Sequence, residues 1–355
     1  MFIFLFLLIT FASITVSNTP IVYGQTNQVL SENADLLNIQ NITAKKVHVG
    51  DIGIGYKMLG KGDPILLFNG ASDNMDVWDP SFLRILSSNH TVIVFDTRGI
   101  GNTTPGSRAY SMEQLANDTA GLLDALKIQK TDSFGYSLGG ETSQQFTISY
   151  PEKVNRLILV ASSCGGKDSV PKPPEFKKLQ SEIVNKTLNN VSISKEEIKS
   201  LVVASLGSGW IRLHPESVDI PENSTFQQMK PGLSQNAMNN QKNAGFAWEA
   251  TDWSGACDEL AKIAKPTLVI TGTDDNFYMP HANALIIASK IPGAWLVQIK
   301  NAGHAVMDQY PNEISKILQT FLSATESSHP SQHTIMLKLE VPLMIPVEGN
   351  SNSHF

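Results

Sequence analysis

Of the 355 residues, 41% are hydrophobic and 8% aromatic, enough apolar surface for a globular core and too much for a disordered or fibrous chain. Lys plus Arg number 27 against 33 Asp plus Glu, a net charge of −6, so no basic field exists to hold a polyanion and nucleic acid is not expected as a partner. Length alone suggests two domains of roughly 150 residues each, although single α/β domains often exceed that size.

From Met1 to Ser31 there is no charged side chain, and FIFLFLLITFASITV is a largely apolar run of fifteen residues. A spanning helix needs about 20. The shorter run, followed by SNTPIVYGQTNQ, reads as a secretory signal over residues 1–24, and the expected location is secreted or at the cell surface. No Lys or Arg precedes the run, so an uncleaved N-terminal membrane anchor stands as the alternative. Seven N-x-S/T sequons suit export, but chance alone would supply about four.

Short β-rich runs then alternate with helical patterns. KKVHVGD and GIGYKML read as a hairpin. ILLF at 65–68, TVIVF at 91–95, TDSFGY at 131–136, RLILVAS at 156–162, TLVIT at 267–271 and AWLVQI at 294–299 read as further strands. SMEQLANDTAGLLDAL opens with a Ser and repeats apolar residues at helical spacing, as does PNEISKILQTFL near the end. Strands alternating with helices predict an α/β fold: a mostly parallel central sheet with helices on both faces.

About a hundred residues separate the strands near Ser162 and Thr267, too many for a loop, so an inserted unit is expected there. It holds the helix-favouring FKKLQSEIVNKTL and the side chains Trp210, Met229, Met238, Phe246, Trp248 and Trp253, which read first as a small helical core and second as a ligand-contacting lid. Cys164 and Cys257 flank the insertion. They allow one disulfide across its base and exclude a Cys-based metal cluster. After Ser327, Pro342 and Pro346 interrupt an apolar run, so neither a helix nor a central strand suits the tail.

Gly135-Tyr136-Ser137-Leu138-Gly139 lies between a strand and a helical pattern, the context that gives G-x-S-x-G its meaning. On so tight a turn the residues two before and two after the serine must be small, and the helix start beyond it presents free N–H groups to developing negative charge. A serine hydroxyl needs a base, ordinarily His, oriented by a carboxylate. Asp274 and Asp275 follow TLVIT, and His304 follows AWLVQIKNA, each at a strand's C-terminal end, where sites of open α/β sheets form. Either aspartate could serve. His48, His90, His214, His281, His329, His333 and His354 lack that order and context. The oxyanion needs two backbone donors, expected from Leu138 and from Ala71 in the loop after ILLF.

ILLFNGASDNMDVW, FDTRGIGNT, FGYSLGGE, KPTLVITGTDD and NAGHAVMDQYP occur in one order over roughly residues 43–324, and through them the chain resembles the α/β-hydrolase fold family. The resemblance implies Ser137 as nucleophile, with Gly135 and Gly139 forming its elbow, Asp275 as acid and His304 as base. It implies a core in two parts, 43–162 and 263–324, a helical cap over 163–262, and a tail over 325–355. Asp96, Arg98, Gly99 and Gly101 become a structural loop. Two departures stand out: the family's His-Gly after the third strand is Asn69-Gly70, and the proline expected after the acid is Pro280, one residue late.

These features together predict an exported serine hydrolase acting on a small-molecule acyl substrate (a carboxylic ester, thioester or lactone) with no metal or organic cofactor. Cofactor-free perhydrolase (haloperoxidase-like) chemistry, carbon–carbon bond hydrolysis and a non-catalytic ligand-binding role are the competing readings.

Overall fold

The computed structural model describes residues 39–189, 191–220, 235–253, 255–324 and 335–339. The expected leader, Met229 and most of the tail lie outside the described residues, as do the side chains of Met238 and Phe246.

The chain opens with β1 (Lys45–Val49) and β2 (Ile52–Leu59), an antiparallel hairpin in which Val49 pairs with Ile52. The turn runs through Gly50 at φ 57°, a left-handed conformation that glycine adopts without strain. There follow β3 (Asp63–Phe68), α1 (Pro80–Ser87), β4 (His90–Phe95), α2 (Met112–Ala125), β5 (Thr131–Tyr136), α3 (Leu138–Ser149) and β6 (Val154–Val160). The insertion carries α4 (Pro174–Leu188), α5 (Lys195–Leu206), α6 (Ser208–Leu213) and α7 (Gln235–Glu249). The chain returns through β7 (Thr267–Gly272), α8 (Ala282–Lys290), β8 (Trp295–Ile299), α9 (Val306–Gln309), α10 (Pro311–Ala324) and β9 (Ile335–Leu339).

The strands form one sheet in the order β1-β2-β4-β3-β5-β6-β7-β8-β9, antiparallel around β2 and parallel from β4 onward. Helices bury both faces. In β3, Ile65 and Leu67 pack on one side with Phe82 and Phe134, while Leu66 and Phe68 pack on the other with Leu122 and Phe146. Two-sided burial is why this strand reads as a continuous apolar run rather than an alternation. The tail does form a strand: β9 pairs parallel with β8 at the sheet edge and ends before Pro342, consistent with prolines that argue only against a central position.

One topological feature positions the site. From β3 the chain steps outward to β4, then crosses back to place β5 on the other side of β3. The loops leaving the C-terminal ends of β3 and β5 therefore diverge and open a crevice at that switch point.

The buried apolar residues of the insertion, among them Phe176, Ile183 and Leu201, pack in one cluster with Ile65 and Leu67 of the sheet rather than as a separate small core. Trp248 is buried and packs on Trp253 with ring centroids 5.5 Å apart. Ser194 and Glu197 form a reciprocal capping box at the start of α5, and Lys186 of α4 pairs with Glu197 at 2.7 Å. Trp210 instead leaves the insertion to meet Tyr310 of the core at 5.2 Å. Cys164 and Cys257 are joined as a disulfide, with Cα atoms 5.0 Å apart, across the base of the insertion.

Candidate functional site

Ser137 sits at the end of β5 with φ 57° and ψ −119°, a left-handed backbone that a serine adopts only under constraint. The constraint is visible on both sides of it. The Ser137 N–H donates to the Val160 carbonyl at 2.9 Å, and its own carbonyl accepts from the Gly140 N–H at 2.8 Å and the Glu141 N–H at 3.1 Å. A Cβ on Gly139 would collide with the Phe68 carbonyl oxygen, and one on Gly135 would collide with the Gly139 backbone. Gly140 is a third such position, because a Cβ there would lie 2.6 Å from the Ser162 side chain. These contacts explain the small residues around the serine as a packing requirement between β3, α3 and β6. The Ser137 hydroxyl is buried and makes no hydrogen bond among the described residues.

Asp275 follows β7 and His304 follows β8. Their contact is direct: Nδ1 of His304 lies 2.6 Å from Oδ2 of Asp275, with both side chains buried. The other carboxylate oxygen accepts the Met279 N–H at 3.0 Å, and the Asp275 carbonyl accepts the His281 N–H at 2.7 Å. The segment leading to Pro280 thus folds back on the acid and holds it, which accommodates the displaced proline. Asp274 points elsewhere. Its Oδ2 accepts the Gly209 N–H at 2.6 Å and the Ser208 hydroxyl at 3.2 Å, tying the insertion to the sheet.

Two tyrosines, not singled out by the sequence reading, bracket the imidazole. Tyr136, the residue before the serine, donates its hydroxyl to the His304 carbonyl at 3.0 Å, and its ring lies 5.4 Å from the imidazole. The Tyr278 ring stacks over His304 at 5.1 Å and 19°. Burial drives both phenols well above their ordinary pKa, so they remain neutral. The signal for Tyr136 was its place inside the pentapeptide; nothing local marked Tyr278.

Leu138 is the first residue of α3, so its N–H has no intrahelical acceptor. Ala71 is fully buried in the loop after β3. That loop is anchored from two directions: Asp96 accepts the Met75 N–H at 2.7 Å, and Gln241 of α7 accepts the Ser72 N–H at 2.6 Å. Asp96 also accepts the Asn102 N–H at 2.6 Å, and burial raises its pKa. Arg98, fully buried, bonds both oxygens of Asp118 at 2.7 and 2.8 Å and both of Asp51 at 2.8 and 3.0 Å. The Asp96–Gly101 loop is therefore a structural brace. Asn69 is buried, and neither its amide oxygen nor its nitrogen finds a partner among the described residues.

Glu141, one turn into α3, is buried, accepts the Ser163 hydroxyl at 3.0 Å, and has its pKa pushed up to about 8 by burial and then by the charge of Glu249. At neutral pH it carries little charge to oppose an anion near the helix start. Among the other histidines, His48 lies in β1, His90 starts β4 at the far end of the sheet, His214 stacks on Trp210 at 4.0 Å, and His281 precedes α8. His329, His333 and His354 lie outside the described residues. Among the described residues no group of three or more His, Cys, Asp or Glu side chains could hold a metal ion, and no helix is long and apolar enough to cross a membrane.

A family model described as alpha/beta hydrolase fold matches residues 63–311. A poly(3-hydroxyalkanoate) depolymerase of Ectopseudomonas oleovorans is 29% identical over 259 residues, covering 73% of this chain and 84% of that protein. A 2-(acetamidomethylene)succinate hydrolase of Mesorhizobium japonicum is 25% identical over 283 residues, covering 79% and 95%. Among solved structures, an N-acyl homoserine lactone degrading enzyme is similar with a TM-score of 0.62 at 26% identity, covering 78% of this chain and 100% of that one.

Proposed function

The chain belongs to the α/β hydrolase fold family, and on that premise we propose that it is an exported serine hydrolase cleaving a small or medium carboxylic ester, thioester or lactone through an acyl-enzyme. The observation that carries this reading is the buried Asp275–His304 pair, 2.6 Å apart, joined through Tyr136 to the strained turn that bears Ser137.

Asp275 holds the imidazole as the Nδ1–H tautomer, which leaves Nε2 free of its proton and able to accept one from Ser137. As Oγ attacks the carbonyl, negative charge moves to the carbonyl oxygen, where the Leu138 and Ala71 N–H groups are the proposed donors. The imidazolium then protonates the leaving oxygen or sulfur, and water repeats the sequence to release the acid. Apart from the substrate and the one water that deacylates the enzyme, each step uses only the chain's own groups. The depolymerase and the lactone-degrading enzyme support acyl-oxygen cleavage as the reaction class. Export is supported by the Cys164–Cys257 bridge, since disulfides persist in oxidising compartments.

The test is labelling of the folded protein with a fluorophosphonate, which traps only an activated serine. Wild type is expected to label and to hydrolyse short esters, and Ser137→Ala and His304→Ala to do neither. A folded wild type that does not label would refute the acyl-enzyme and favour a ligand-binding role. Peroxide-dependent halogenation exceeding ester hydrolysis would move the assignment to a perhydrolase.

A further inference from the structure

The end of β6 grips Ser137 by both of its backbone groups. The Ser137 N–H donates to the Val160 carbonyl at 2.9 Å, and the Ser162 hydroxyl donates to the Ser137 carbonyl at 3.1 Å. Between these contacts the chain turns at Ala161, whose φ of 48° is left-handed, a conformation that residues other than glycine adopt at a cost. The Ala161 N–H donates to the Ile270 carbonyl of β7 at 2.9 Å, which ties the turn to the sheet. Gln144 of α3, fully buried, fixes the Ser162 side chain. Its Nε2 donates to the Ser162 hydroxyl at 3.3 Å and to the Gly140 and Ser163 carbonyls at 3.1 and 2.9 Å. The Ser162 oxygen thus accepts from Gln144, and its hydrogen is directed to Ser137.

The Ser137 carbonyl shares one planar trans peptide with the Leu138 N–H, and in such a unit the two bonds point in opposite directions. Donors that gather on the carbonyl therefore aim the Leu138 N–H to the other side, and that N–H is one of the two groups proposed above to receive the oxyanion. The Gly140 and Glu141 N–H groups also donate to this carbonyl, but they belong to the same helix and move with it, whereas Ser162 ties the peptide to a neighbouring strand. We propose that Ser162 is a positioning residue for the nucleophile turn, setting the orientation of the Leu138 N–H toward the developing oxyanion. The proposal rests on the serine-hydrolase reading and deepens it. Ser162 acts through the Ser137–Leu138 peptide rather than on the substrate. Its effect belongs to the transition state, because the substrate's carbonyl oxygen gains its negative charge only as Oγ attacks.

The experiment compares Ser162→Ala with wild type in p-nitrophenyl butyrate turnover, fluorophosphonate labelling and inhibition by an alkyl trifluoromethyl ketone, which Ser137 would capture as a tetrahedral oxyanion. The substitution removes one oxygen and leaves Gln144 its bonds to the Gly140 and Ser163 carbonyls, so the variant is expected to fold. In Ser162→Ala, kcat should fall by about tenfold, KM should stay within about twofold, and the ketone's Ki should rise by about tenfold. Ser163→Ala is the control. It deletes a buried hydrogen bond one residue away, from the Ser163 hydroxyl to Glu141 at 3.0 Å, and should leave kcat within about twofold. An unchanged kcat in Ser162→Ala, beside a wild type that labels, would overturn the positioning role and leave the serine hydrolase intact. An equal loss in Ser163→Ala would overturn it too, as would a loss confined to KM with the ketone's Ki unmoved. A folded wild type that neither labels nor turns over the ester would overturn the catalytic reading, and the positioning role with it.

Discussion

Reduction of the Cys164–Cys257 disulfide should weaken the fold substantially without changing the folded site. The bridge spans a sequence separation of 93 residues. Treating it as a constraint on the unfolded chain, a loop of that length contributes about 4.6 kcal/mol at 25 °C. The native junction has other supports: the Ala256 N–H donates to the Cys164 carbonyl at 2.8 Å, the Gly166 N–H donates to the Trp248 carbonyl at 2.8 Å, and both sulfurs are buried. The reduced protein should therefore keep its structure and lose stability chiefly because its unfolded chain regains freedom. Guanidinium unfolding of oxidised and phosphine-reduced protein measures the difference directly, and the same loss should lower Tm by on the order of 10 °C. Ester turnover well below the transition should be unchanged. Two titratable thiols in the denatured, unreduced protein would refute the bridge, and a stability difference below about 1 kcal/mol would refute the loop-entropy argument.

Asp275→Asn should lower kcat by about 10⁴, by analogy with the serine-protease triad, because an amide favours the wrong imidazole tautomer. Asp274→Asn should leave kcat within about threefold and cost about 1 kcal/mol of stability through its bonds to Ser208 and Gly209; equal kinetic losses in the two variants would overturn the assignment. Glu141 has a folded pKa above its unfolded value, so its stabilising contribution is complete below about pH 4.5 and is lost as pH rises through about 8. Glu141→Gln, which keeps an acceptor for Ser163, should accordingly unfold later than wild type at pH 8 and show a shallower decline between pH 5 and 8 in denaturant titrations, and parallel profiles would count against a buried, protonated Glu141. Gly139→Ala should cost more than about 3 kcal/mol through collision with the Phe68 carbonyl, and soluble protein that labels normally would contradict that packing.

The parts of this protein legible in its amino-acid order are those governed by short-range rules. Strands buried on both faces must be continuous apolar runs, so ILLF, TVIVF and RLILV announced the parallel sheet. The tight strand-to-helix turn at Ser137 has no room for a Cβ at 135 or 139, so the glycines of the pentapeptide make that turn legible in the sequence. The chain order Ser137, Asp275, His304 then followed strand ends. Other features depended on packing between distant segments. Asp274 and Asp275 are chemically identical neighbours, and only the return of Met279 and His281 onto the loop decides which carboxylate faces an imidazole 29 residues away. Tyr278 lies over His304 because that same loop closes, and no local pattern marks it. The pairing of Cys164 with Cys257 and the tie from Gln241 to Ser72 join residues 93 and 169 positions apart. Backbone sterics and side-chain periodicity act over a few residues and are written in the sequence, whereas the facing of one side chain toward another across the sheet is set only when the whole core packs.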